Sequence, residues 1–129
     1  MEHCAVVCAI VVDCEDPRRV AVFWQSMLGG RVISYPELAV QALRAPGVTF
    51  DFASNPDAKV VKNRWHLDLA TDDVDRTIEC ALAAGATRAV DFNESEGFVV
   101  MRDPEGNEFC VLEQAGAEAP WAPPAEAKP

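Results

Sequence analysis

Residues 62–73 read KNRWHLDLATDD and set a histidine and an aspartate, His66 and Asp68, two positions apart on an alternating stretch. Residues two apart on a strand share a face. His66 and Asp68 therefore lie on one side, and Leu67 and Leu69 on the other, where a helix is expected to cover them. A histidine beside carboxylates can act as a general acid or base with its pKa raised, or it can ligate a metal. The bland alternative is a buried histidine satisfied by a backbone carbonyl or by Asp68. A second alternating stretch, EFCVLEQ, carries Glu108 and Cys110 on a shared face. Acidic surroundings raise a thiol pKa, which argues against Cys110 as a nucleophile. Lys62 and Arg64 precede the His66 strand and offer positive charge to an anionic ligand, although two cations on a loop are commonly just solvated.

Two helices must position these groups. Asp16-Pro17 reads as an N-cap followed by proline in the first turn. Val20, Phe23, Trp24, Met27 and Leu28 then repeat at the spacing of one buried helical face, and Gly29-Gly30 ends it. A second helix is expected to start near Thr71 or Asp72, to bury Val74, Ile78, Ala81 and Leu82, and to stop at Gly85. A strand precedes each helix: AVVCAIVV before the first and RWHLDLA before the second. Three strand-like segments follow each, GRVISYP, LAVQALRAPG and VTFDFAS in one half, and GATRAVDF, GFVVMRDPEGN and EFCVLEQ in the other.

Asp16 and Asp73 lie 57 positions apart, while Arg44 and Pro46 match Arg102 and Pro104 at an offset of 58. The chain is thus a βαβββ unit written twice. The expected fold is α+β, two tandem βαβββ units whose curved mixed sheets form a shared cavity. The domain spans 1–115, with units at about 4–56 and 60–114, and an Ala/Pro-rich flexible tail, GAEAPWAPPAEAKP, fills 116–129. His66, Asp68, Glu108 and Cys110 are expected to face the cavity.

The totals narrow the partners. A chain of 129 residues suits one domain. It carries 21 acidic against 11 basic residues, a net charge of −10, which disfavours nucleic acid and anionic membrane surfaces. No stretch nears the roughly 18 apolar residues of a membrane span, and no secretory signal is visible, so a cytoplasmic address is expected. The five cysteines (Cys4, Cys8, Cys14, Cys80, Cys110) form no CxxC pair. They read as small buried hydrophobes in a reducing compartment and not as a disulfide framework or structural zinc site. The LGGR segment is a helix end, not a dinucleotide fingerprint. The DDVD run at 72–75 complements a helix dipole and does not form a calcium loop.

DPRRVAVFWQSMLGG, HLDLATDDVD and DPEGNEF together resemble the vicinal oxygen chelate superfamily: glyoxalase I, extradiol dioxygenases, fosfomycin-resistance enzymes, methylmalonyl-CoA epimerase and bleomycin-binding proteins. KVVKNRWHLDL with DPEGNEFCVLE is similar to a glyoxalase-like subgroup common in actinobacteria. In metal-dependent members each unit supplies one ligand from its first strand and one from its last. The resemblance places those positions at Ala9 and His66, and at Asp51 and Cys110. Alanine cannot ligate, so the full family metal site is not expected. A divalent ion (Zn, Ni, Mn or Fe), if held, would rest on His66, Asp51 and Cys110.

Two classes of function follow. One is a glyoxalase-like protein that binds a small molecule in the paired cavity, with His66, Asp68, Glu108, Cys110 and Asp51 lining it. The other is a lyase, isomerase or dioxygenase, either metal-dependent or working by acid–base chemistry through His66 and Asp68. The resemblance also implies a homodimer.

Overall fold

A computed structural model describes residues 7–89 and 98–113. The chain divides between Val60 and Val61 into two compact units. The first runs β1 (Ile10–Cys14), α1 (Pro17–Leu28), β2 (Arg31–Tyr35), a single 3-10 turn (Pro36–Leu38), β3 (Val40–Ala45) and β4 (Val48–Ser54). Its sheet is ordered β1-β4-β3-β2, with β1 parallel to β4 and the other pairs antiparallel. The second unit repeats the plan with β5 (Leu67–Thr71), α2 (Val74–Ala83), β6 (Thr87–Arg88), β7 (Phe98–Arg102) and β8 (Glu108–Glu113). Its order is β5-β8-β7-β6, and again the first and last strands pair in parallel. The expected pair of tandem βαβββ units is what the chain forms.

Local chemistry sets the helix starts. The Asp16 carboxylate accepts the Arg19 N–H at 3.2 Å, and the Asp73 carboxylate accepts the Arg76 N–H at 3.0 Å. Each cap satisfies a backbone donor that the first turn leaves open. Val20, Phe23 and Trp24 of α1 are buried. Trp24 stacks on Phe50 with ring centroids 6.3 Å apart, and Phe50 stacks on Phe52 at 5.5 Å. Phe50 and Phe52 thus point to the helix side of the sheet, and alternation turns Asp51 to the other side. In α2 the buried stripe centres on Ile78 and Ala81.

Gly29 closes the first helix, and Gly30 after it stands in a position that only glycine fills. Its φ is +91°, and an added Cβ would sit 2.2 Å from the Arg44 carbonyl oxygen.

Several expectations shift. Among the described residues the opening strand starts at Ile10 and leaves out Val7 to Ala9, because β1 finds partners only from Ile10↔Phe50 onward; Ala5 and Val6 lie outside the described residues. His66 likewise precedes β5, whose pairing starts at Leu67↔Phe109. The second helix begins two to three residues later than expected, after Asp73, whose side chain makes the cap. Leu82 is 44% exposed at the border of the buried stripe. Cys14 and Cys110 are buried, but Cys8, just before β1, and Cys80, on the outer side of α2, are exposed. Cys4, residues 90–97 of the GATRAVDF and GFVVMR segments, and the tail lie outside the described residues. No described helix is long and apolar enough to cross a membrane.

Candidate functional site

The site is built on one face of the second sheet. Register places Asp68 opposite Cys110, and Cys110 opposite Val100, across β5, β8 and β7. Val100 and Ala89 pack against Cys110 on its apolar flank. On the other flank the Cys110 thiol lies beside the Asp68 carboxylate. His66, two residues before Asp68, brings its Nδ1 within 3.2 Å of Asp68 Oδ1. One donor atom from each of His66, Asp68 and Cys110 falls within 4.8 Å of the others. His66 and Asp68 stay open to solvent, their side chains 39% and 49% exposed. The alternation of Leu67 and Leu69 with His66 and Asp68 therefore holds in the structure, the leucines being half-buried.

Electrostatics favours the thiol over the thiolate. Burial pushes the Cys110 pKa up, the charge of Asp68 and its hydrogen bond push the same way, and Lys62 opposes them. Asp68 touches both the imidazole and the thiol, an arrangement unlike the direct Cys–His contact that activates a nucleophile.

Glu108 shares the face of Cys110 but its carboxylate is engaged elsewhere. Its side chain is 4% exposed, accepts the Asn63 N–H at 2.9 Å, and pairs with Arg102 Nε at 3.4 Å. The Asn63 side chain also donates to the Glu108 carbonyl at 3.4 Å. Glu108 thus ties the segment leading into His66 to the start of β8. It is not one of the three grouped donors. Sequence reasoning missed Asn63 and Arg102 as its holders. Asn63 lies on an irregular segment with no periodic signal, whereas Arg102 directly opposes Glu108 in register.

The turn from β7 to β8 is fastened by a buried acid. Asp103 Oδ1 accepts the backbone N–H groups of Glu105 and Asn107, each at 2.9 Å. The Asn107 side-chain amide reaches the two Asp103 oxygens at 3.2 and 3.1 Å. In the first unit the corresponding turn is only Pro46-Gly47, with no acid to match.

The two units can be compared position by position through their registers. Val11 pairs with Asp51, and Asp51 with Ala42, where the second unit has Asp68, Cys110 and Val100. Asp51 therefore occupies the register position of Cys110, and Val11 that of Asp68. Two residues upstream, Ala9 stands where His66 does. A shallow pocket of about 560 Å³ opens there, lined by Val7, Ala9, Ile10, Ala45, Val48 and Thr49 among others. Of the four positions that a family metal centre would use, one has no donor atom and one offers soft sulfur. The residues present do not fit that centre as the family builds it.

Comparisons with known proteins agree with the fold. Residues 9–112 match the glyoxalase-like domain family. A protein provisionally named glyoxylase CFP32, from Mycobacterium tuberculosis and Mycobacterium bovis, is 27% identical over 110 residues, covering 78% of this chain. The chain spans only 41% of the length of those curated relatives. A glyoxalase/bleomycin resistance protein/dioxygenase family enzyme from Burkholderia phytofirmans superposes with a TM-score of 0.66 at 20% identity, covering 81% of this chain and 95% of its own. The fosfomycin resistance protein FosX of Listeria monocytogenes, solved as a mutant with Mn(II) and a dihydroxypropylphosphonic acid, gives 0.69 at 15% identity, covering 85% and 90%. At such identities the solved structures speak for the fold alone. The family match over most of the chain, two βαβββ sheets and the motifs at both helix starts agree: the chain belongs to the glyoxalase-like family and has the vicinal oxygen chelate fold.

Proposed function

We propose that this chain is a glyoxalase-like protein that binds a small molecule in a cavity formed by its paired units, without the family's full metal site. Ala9 carries the reading: it puts a methyl group where the second unit has the imidazole of His66, so the first half contributes apolar surface at that place. His66, Asp68 and Cys110 supply the polar end of the ligand site, Glu108 on the same face of β8 holds the segment that enters His66, and Asp51 stands at the matching register position of the first unit. Such a division suits a ligand with an apolar or aromatic body and one polar end. The reading extends to a homodimer and to a cytoplasmic address, the latter supported by Cys8, Cys80 and Cys110 standing as unbridged thiols among the described residues.

The test is a ligand-observed NMR screen of aromatic and vicinal-oxygen compounds against the full chain and the His66→Ala variant. Hits that His66→Ala loses, and that come back unchanged after long incubation, support a binding role. Conversion of a hit that depends on an added divalent ion would replace this reading with the metal-dependent lyase, isomerase or dioxygenase. The grouping of His66, Asp68 and Cys110 is the observation that favours that second reading.

A further inference from the structure

We propose that the second unit by itself holds one thiophilic divalent cation of the zinc class, on His66, Asp68 and Cys110. This differs from a family centre, which takes ligands from both units. Asp68 does not stand at a family ligand position, whereas Asp51 does.

Three features support the site. First, carboxylate oxygen and sulfur come together on one parallel strand pair, whose register Asp68↔Cys110 is set by backbone bonds, and the His66 nitrogen joins them from just before β5. Second, the donor atoms already lie within 4.8 Å of one another. The edges of a tetrahedral zinc sphere, with bonds of about 2.0–2.3 Å, are roughly 3.3–3.7 Å long. Closing the difference takes rotation of the two exposed side chains, His66 and Asp68, with no movement of β8. Third, the segment entering His66 is already anchored, since Glu108 holds the Asn63 N–H and pairs with Arg102. Anchored ligands bind metal more tightly than free ones.

Chemistry chooses the ion. Calcium, magnesium and manganese prefer shells of oxygen, whereas a thiolate with one imidazole and one carboxylate suits zinc. On binding, the Cys110 S–H bond breaks, an S–metal bond forms, and the proton goes to buffer. A neutral imidazole with two anionic ligands then balances the charge of the ion. Three protein ligands leave the fourth position for water or a ligand atom.

The experiment titrates the full chain with Zn(II), and with Co(II) as a spectroscopic stand-in. The expected result is one equivalent per chain, with a sulfur-to-cobalt charge-transfer band that Cys110→Ser abolishes. His66→Ala and Asp68→Asn should each weaken binding by at least about tenfold, while Asp51→Asn leaves it unchanged. Because Cys110 is buried and its variant can fail to fold, Zn(II) protection of Cys110 from iodoacetamide is measured on the wild-type chain as well. An unchanged band in folded Cys110→Ser, no protection of Cys110, or Mn(II) binding as tight as Zn(II) would overturn the proposal. So would Asp51→Asn proving as damaging as Asp68→Asn, which would make the site one shared by both units. Every readout is of metal and thiol, so failure here and failure of the ligand-binding reading remain separate results.

Discussion

Replacing Asp103 should damage the fold although it lies in a turn. The side chain is 3% exposed, and Oδ1 receives two backbone N–H groups at 2.9 Å. Hydrogen bonds to a charged acceptor contribute about 1.5–3 kcal/mol each. Asp103→Ala leaves both donors without that acceptor and also frees the Asn107 amide, but Glu105 and Asn107 are only half-buried, so water recovers part of the loss. The net cost should be about 3 kcal/mol. Asp103→Asn retains an oxygen for the two backbone donors but turns an NH₂ group toward the Asn107 amide, which removes one bond and should cost about 1 kcal/mol. Urea denaturation followed by circular dichroism measures both, with equal m-values showing that only stability has changed. If Asp103→Ala stays within about 1 kcal/mol of the native chain, or Asp103→Asn is equally harmful, the assignment of this carboxylate as the fastener of the turn fails.

Two further results are expected. Gly30→Ala should cost well over 3 kcal/mol, because it combines a positive φ with a clash on the Arg44 carbonyl; Gly29→Ala, which meets open space, should cost about 1–3 kcal/mol, and thermal melts showing the reverse order would refute the packing argument. In metal-free protein at neutral pH, iodoacetamide should label Cys8 and Cys80 before Cys110, whose burial and Asp68 neighbour hold the thiol protonated. The folded pKa of Cys110 lies above the unfolded one, so the stability it contributes is present below the unfolded value and is lost as pH rises through the folded value. Asp68→Asn should speed Cys110 labelling by removing two of the upward pushes. Mass spectrometry of the labelled peptides follows the rates, and Cys110 reacting as fast as Cys80 would contradict the reading.

The parts of the molecule legible in its sequence are those governed by short-range chemistry. Asp16 and Asp73 announce helix starts because a cap needs only the next turn. The His66–Leu69 alternation shows which groups leave the helix side, because strand geometry repeats every two residues. Strand ends were not legible: Val7 to Ala9 look as β-prone as Ile10 to Val12, yet a strand begins where its partner begins, and that partner is β4. The union of Asp68 with Cys110 depends on a register set far along the chain, so sequence alone could bring the two only to a common face. Nor did Glu108 reveal that its carboxylate would turn to Asn63, since a contact between a strand and an irregular segment leaves no periodic trace.

The parallel pairing of each unit's opening strand with its closing one also orders events during synthesis. Strands β2, β3 and β4 join through neighbouring turns, but Ile10 has no partner until Phe50 has been made. The opening strand is therefore the last to be captured, and until then Ile10, Val11 and Val12 present an apolar, unpaired edge of the sort that draws other chains. On the ribosome that interval ends as residues 48–54 emerge, before the second sheet, which shares no strand with the first, exists at all. The second unit repeats the delay, with Leu67 waiting for Phe109. His66 and Asp68 thus meet Cys110 only when β8 has been delivered.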